Sequence, residues 1–138
     1  MAQPERYPYI EARNAQGQTL LRPLLAINLG TEQRSMTLNG LLDTGATVNV
    51  LPYEAGLELG LVWSEQIRSV QLTGNLARYE ARGTILTGIV GQFEPVPLTF
   101  AWTRASGIPL LLGQVNFFAE FDVCFFRARA AFEVQPKA

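Results

Sequence analysis

One acidic residue between two apolar runs constrains this chain more than any other feature. Residues 40–46 read Gly-Leu-Leu-Asp-Thr-Gly-Ala, and a second apolar run covers residues 48–51. Burying a carboxylate is costly unless it is paired or neutralised. The chain has only two aspartates, Asp43 and Asp122. The position of Asp43 therefore calls for a chemical explanation.

Three explanations of this stretch are open on the local sequence alone. Asp and Gly can supply turn chemistry at the end of a strand. Asp43 could instead be an aspartyl-phosphate nucleophile, with Thr47 four residues on. It could also be one half of a carboxylate dyad in an aspartic protease. The flanking sequence has to decide between them.

The composition excludes several function classes. Histidine is absent and Cys124 is the only cysteine, which removes Ser–His and Cys–His catalysis, ordinary zinc sites and internal disulfides. We expect no metal, no cofactor, and burial of Cys124 as a small hydrophobe. A formal net charge of −1 gives no electrostatic footprint for nucleic acid.

Neither a signal peptide nor a membrane segment is evident in the sequence. The first eight residues are polar and contain proline, and the apolar stretches are too interrupted to cross a bilayer. We expect a cytoplasmic protein, or a soluble part of a longer one.

The pattern along the chain predicts an all-β, barrel-like single domain over residues 1–138, with many short strands and few helices. Residues 1–19 are expected to form a loose arm with a short strand near Tyr9, and Asp122 to serve a turn or a helix end. Strands are predicted at 23–29, 34–42, 67–72, 76–90 (kinked or bulged at Gly83 and Gly88), 96–102, 110–112, 121–126 and 130–134, and helical turns at 52–59 and 114–120.

This element order disfavours the aspartyl-phosphate explanation. Such enzymes need a parallel α/β sheet, a cation near the phosphate and usually a second acid for magnesium. The predicted order is not βαβ, and Lys137, in the tail, is the only lysine.

The order of motifs resembles the retropepsins, the retroviral-type aspartic proteases. The matching parts are Pro-Leu-Leu-Ala-Ile at 23–27, Leu-Leu-Asp-Thr-Gly-Ala at 41–46, Val-Leu-Pro at 50–52, a hairpin with Gly74 at its tip, and Pro-Leu-Leu-Leu-Gly at 109–113 before a helix. The resemblance spans residues 23–126. It implies a closed acid-protease barrel with a flap hairpin and one short C-terminal helix.

The resemblance also implies a mechanism and a set of site residues. The chain has one Asp-Thr-Gly, so two chains would pair as a homodimer, each supplying one Asp43 to hydrolyse a peptide or protein substrate. Thr44 would bond across the dimer and Gly45 would admit substrate backbone. The implied substrate-binding residues are Ala46, the flap residues Leu72, Thr73, Gly74 and Asn75, and Leu112.

Two departures from the viral pattern leave an alternative open. Viral sequences often carry an acid and an arginine that form an ion pair near the dimer seam; Thr47 and Gln114 stand in those places. The flap carries only Gly74 where viral flaps are glycine-rich. A catalytically silent module of the same fold, used for dimerisation or peptide binding, is the alternative to an endopeptidase.

Overall fold

A closed six-stranded barrel surrounds the core of the computed structural model, which describes residues 3–138. The strands are β1 (Glu5–Pro8), β2 (Ile10–Arg13), β3 (Thr19–Arg22), β4 (Leu24–Gly30), β5 (Ser35–Leu42), β6 (Asn49–Leu51), β7 (Ala81–Ile89), β8 (Val96–Thr103), β9 (Leu110–Leu112), β10 (Phe121–Phe126) and β11 (Ala131–Pro136). The helices are α1 (Tyr53–Glu58) and α2 (Phe117–Glu120), with 3₁₀ turns at Trp63–Glu65, Gly74–Leu76 and Arg127–Arg129. The predicted all-β barrel is confirmed.

The barrel order is β4-β5-β9-β6-β8-β7, and β7 closes it by pairing with β4. Alternation along the strands places the core: Leu25, Ile27 and Leu29 of β4 are fully buried, while the residues between them point outward. Most pairs are antiparallel, but β9 runs parallel to β5, and β6 runs parallel to β8. In this barrel order, β9 lies between β5 and β6, the two strands that flank the Asp-Thr-Gly stretch.

From Glu5 to Arg22 most of the N-terminal segment pairs in strands, so this described part is more regular than the expected loose arm with one short strand near Tyr9. Strand β1 pairs antiparallel with β11, and β2 pairs with β3. The Glu5 side chain in β1 also accepts a hydrogen bond from the backbone N–H of Gln92 at 3.0 Å, which ties this strand to the turn between β7 and β8. The polar composition suggested an irregular segment, but these are edge strands, which keep side chains exposed to solvent.

The segment predicted as a flap hairpin has little regular pairing. Residues 67–72 form one isolated bridge, Ser69 to Arg82, with flanking backbone bonds from Val70 and Gly83. Ile67 is 94% exposed because nothing covers the segment's outer face. The strand predicted at 76–90 is regular only from Ala81 to Ile89.

The bulges predicted in β7 are also wrong. The register of β7 with β8 is continuous through both glycines. At Gly88, an added Cβ would come within 2.6 Å of Leu98. This glycine therefore makes room for a core leucine and does not interrupt the strand.

Three C-terminal expectations need correction. Cys124 is exposed, because β10 is the outer strand of the β1-β11-β10 sheet and Cys124 points away from buried Phe121. Asp122 pairs with Gln135 inside this strand and does not form a turn. The predicted helix at 114–120 begins only at Phe117, since Val115 is held in a parallel bridge with Val48 just before it.

Candidate active site

The Asp-Thr-Gly loop crosses the end of β9 on its way from β5 to β6. Because β9 separates these two strands, residues 43–48 must span it. The loop is bonded to the chain beneath it by backbone hydrogen bonds: Asp43 N–H donates to Leu112 O at 3.0 Å, and Gln114 N–H to Ala46 O at 2.9 Å. Val115 N–H donates to Thr47 O at 2.9 Å. Val115 O in turn accepts from Asn49 N–H at 2.8 Å, so the chain is paired with the loop up to Val115 and the helix starts after it.

Gly113 lies directly below this crossing. A Cβ added there would stand 2.6 Å from Ala46 O and 2.7 Å from Val48 O, both backbone atoms. Backbone cannot move aside as a flexible side chain can. Glycine at position 113 is therefore what allows the loop to lie this close to the strand end.

The Asp43 carboxylate is folded toward its own loop. Gly45 N–H donates to Asp43 Oδ1 at 3.0 Å, and Ala46 N–H donates to Asp43 O at 3.1 Å. Asp43 is half-buried, whereas Thr44 and Gly45 are exposed. The acid is thus presented at the surface of the chain by a tight turn, with its second carboxylate oxygen left for other partners.

A buried amide network supports the loop from below. Asn49 is fully buried; its Oδ1 accepts from Gly113 N–H at 2.8 Å, and its Nδ2 donates to Thr99 O at 3.0 Å. Asn116 Oδ1 accepts from Thr99 N–H at 2.9 Å. Burying an amide is costly unless it is fully bonded, and no buried side-chain polar atom in the described residues lacks a partner.

Gln114 adds a side-chain bond to the same loop. Its Nε2 donates to Thr44 O at 2.9 Å. The position that departs from the viral pattern is therefore occupied by a neutral donor in direct contact with the Asp-Thr-Gly turn.

A cleft opens beside Asp43 and brings together several of the residues chosen from the sequence. Asp43, Gly45 and Ala46 form its floor, and Leu72, Thr73 and Asn75 line the opposite wall. The remaining lining residues are Thr47, Val48, Val50, Leu76 and Leu111. Apart from Asp43, no side chain lining this cleft carries a charge.

Three of the chosen residues lie outside this lining. Leu112 is fully buried and packs toward Gly40, and alternation along β9 turns Leu111 to the cleft instead. Thr44 faces outward beside the cleft. Gly74 sits at the tip of the covering segment with φ +64° and open space around it.

The segment that covers the cleft is held by one buried leucine and one amide. Leu72 is 4% exposed and belongs to a small core cluster with Val50, Ala81 and Ala101. The Gln71 side chain donates to Leu72 O and Ala77 O, at 2.9 and 3.2 Å. The tip beyond them, from Thr73 to Asn75, is exposed.

The support residues Asn49 and Asn116 were missed from sequence. The available signal is the asparagine inside the apolar run 48–51. A buried side-chain amide must be hydrogen-bonded, so its presence there indicates a specific set of partners. The cleft residues Val50 and Leu111 were also missed, because β6 and β9 are three-residue strands, too short for alternation to be read from the sequence.

Comparison with solved structures gives a class for this architecture. The chain is similar to a retropepsin-like aspartic protease from Rickettsia conorii, with a TM-score of 0.59 at 17% identity over 94% of this chain and 98% of that one. It is also similar to EIAV protease complexed with the inhibitor HBY-793, with a TM-score of 0.49 at 23% identity over 67% and 82% of the two chains. Neither the family models nor the curated proteins gave a match to the sequence. The fold of this chain is the retropepsin-like aspartic-protease fold.

Two further observations bear on cofactors and membranes. Within residues 3–138, no group of three His, Cys, Asp or Glu side chains is placed to hold a metal ion. None of the helices described there is long and apolar enough to cross a bilayer.

Proposed function

We propose that this chain is one half of a homodimeric aspartic endopeptidase that hydrolyses peptide bonds in extended polypeptides. The observation that carries the proposal is the placement of Asp43: a braced turn presents it at the surface, on the floor of a cleft. The retropepsin-like fold, with its solved protease relative, supports the same class of activity.

The dimer is required by the number of acids at the site. Asp43 is the only acid that lines the cleft, and Asp122 lies in β10, in the separate β1-β11-β10 sheet. A second chain related by two-fold symmetry would supply the second Asp43. The exposed Thr44 and Gly45 are the surface through which the two turns would meet.

The chemistry follows from two carboxylates at close range. They share one proton because both cannot ionise so near each other, which is the established behaviour of aspartic proteases. The ionised member removes a proton from water, whose oxygen attacks the scissile carbonyl carbon, while the protonated member donates to the carbonyl oxygen. Collapse of the tetrahedral intermediate breaks the C–N bond, and the departing amine takes up a proton.

The cleft defines how a peptide would be held. An extended substrate would bond by main-chain groups to the floor and to the covering segment, 72–76, while apolar walls take alternate side chains. Closing that segment would exclude water from the reaction.

The test is cleavage of an unstructured protein by the purified chain across a concentration series at acidic and neutral pH. Activity per chain should rise with concentration, and Asp43→Asn should abolish it while circular dichroism stays unchanged. Cleavage by the Asp43→Asn variant would overturn the assignment, and a stable, inactive monomer would favour the silent module.

A further inference from the structure

The Thr44–Gly45 peptide unit links Gln114 to the Asp43 carboxylate. Thr44 O and Gly45 N–H belong to one peptide, which is trans and planar, so these two groups point in opposite directions. The carbonyl end accepts from Gln114 Nε2 at 2.9 Å. The amide end donates to Asp43 Oδ1 at 3.0 Å. Fixing one end of this peptide fixes the aim of the other.

We propose that Gln114 is a positioning residue, which orients the Asp43 carboxylate by holding the Thr44 carbonyl and thereby aiming the Gly45 N–H. Gln114 does not line the cleft, and its side chain donates to the Thr44 carbonyl and not to the carboxylate. This inference rests on the proposed function for its catalytic consequence, although the geometry it describes lies within one chain.

No other contact in the described structure replaces this bond. The backbone bonds between the loop and residues 112–115 hold Asp43 N–H, Ala46 O and Thr47 O, and leave the Thr44 carbonyl to the side chain of Gln114. Water can also bond to the exposed Thr44 carbonyl, but a mobile water does not fix the direction of the peptide as the Gln114 side chain does. The positioning effect is therefore expected within one chain, before any dimer forms.

Three substitutions separate donation from size. Gln114→Met keeps the length of the side chain and removes the donor. Gln114→Arg keeps a donor and should restore the bond. Gln114→Glu can donate only as the neutral acid, so it should behave like Gln114→Met at neutral pH and recover as the pH falls. Gln33→Met, in an exposed turn with no side-chain hydrogen bond, is the matched control.

The first readout is the Gly45 amide in ¹H–¹⁵N NMR spectra, which requires no activity. Gln114→Met should shift the Gly45 proton upfield, as a weakened hydrogen bond does, and raise its exchange rate about three- to tenfold, in line with the loss of one bond. Gln114→Arg and Gln33→Met should leave it as in the wild type. An unchanged Gly45 signal in Gln114→Met would overturn the inference.

The second readout is steady-state kinetics on a peptide. In Gln114→Met, kcat should fall about tenfold with KM altered less than about twofold, because the carboxylate is misaimed while the substrate walls are intact. Gln114→Arg should recover kcat. If wild-type protein is inactive but the Gly45 signal responds, the proposed function fails and the positioning role stands. If wild-type protein is active and neither readout responds, the positioning role alone fails.

Discussion

Removing the Asn49 side chain should lower the free energy of unfolding far more than removing a surface amide does. In Asn49→Ala, the buried Gly113 N–H loses its acceptor and Thr99 O loses its donor. An orphaned buried polar group costs about 1–3 kcal/mol. Gly113 is buried, whereas Thr99 is exposed and only its bond to Asn49 is part-buried, which gives about 2 and about 1 kcal/mol respectively.

The expected loss is therefore about 3 kcal/mol in the free energy of unfolding, or roughly 10 °C in Tm for a chain of this size. Urea titration followed by tryptophan fluorescence measures it, with protein concentration held equal because association would add to apparent stability. Asn28→Ala is the control: its amide bonds Thr37 Oγ1 at an exposed site, and its cost should stay under about 1 kcal/mol. A loss in Asn49→Ala no larger than in the control would refute the role of the network.

Three further substitutions test other parts of the structure. Gly45→Ala should fold normally, since the added Cβ meets only Asp43 Oδ1 at 3.4 Å, yet it should abolish cleavage by blocking substrate; full activity would contradict this reading of the cleft. Gly113→Ala should lose about 1–3 kcal/mol, because its Cβ would press on Ala46 O, and an unchanged urea midpoint would show that the loop has room to spare. Burial and then the hydrogen bond and charge of Glu5 raise the pKa of Tyr7, so the folded state keeps its proton longer and stability should fall as pH rises above about 10; Tyr7→Phe should flatten that fall in urea midpoints at pH 9 and 11, and equal slopes would contradict it.

The barrel could be predicted from sequence because strand alternation and turn residues are local signals. Leu25, Ile27 and Leu29 alternate cleanly with outward residues, and the register follows from them. The short length of α2 could not be predicted, because Val115 is bridged to Val48, in a part of the chain far away in sequence, and its carbonyl accepts from Asn49 N–H. Such non-local pairing leaves no periodic trace.

The candidate site, too, could be predicted only where the signal is local in the sequence. Asp43 stood out because an acid between apolar runs is anomalous in the sequence itself. Leu112 is the cleft residue predicted from the sequence, whereas the structure places Leu111 there. Which leucine faces the cleft depends on the orientation of a three-residue strand, and a run of three leucines shows no alternation. The bond from Gln114 to Thr44 O depended on how the loop folds over β9.

Mixing wild-type chains with the Asp43→Asn variant tests most directly whether the active site is shared. If each active dimer needs an Asp43 carboxylate from both chains, equal mixing with free exchange leaves about one quarter of the dimers active, and cleavage falls to about half that of the same amount of wild-type chain paired with itself. If one chain suffices, the variant would leave the wild-type contribution unchanged. That second result would contradict the two-chain dyad.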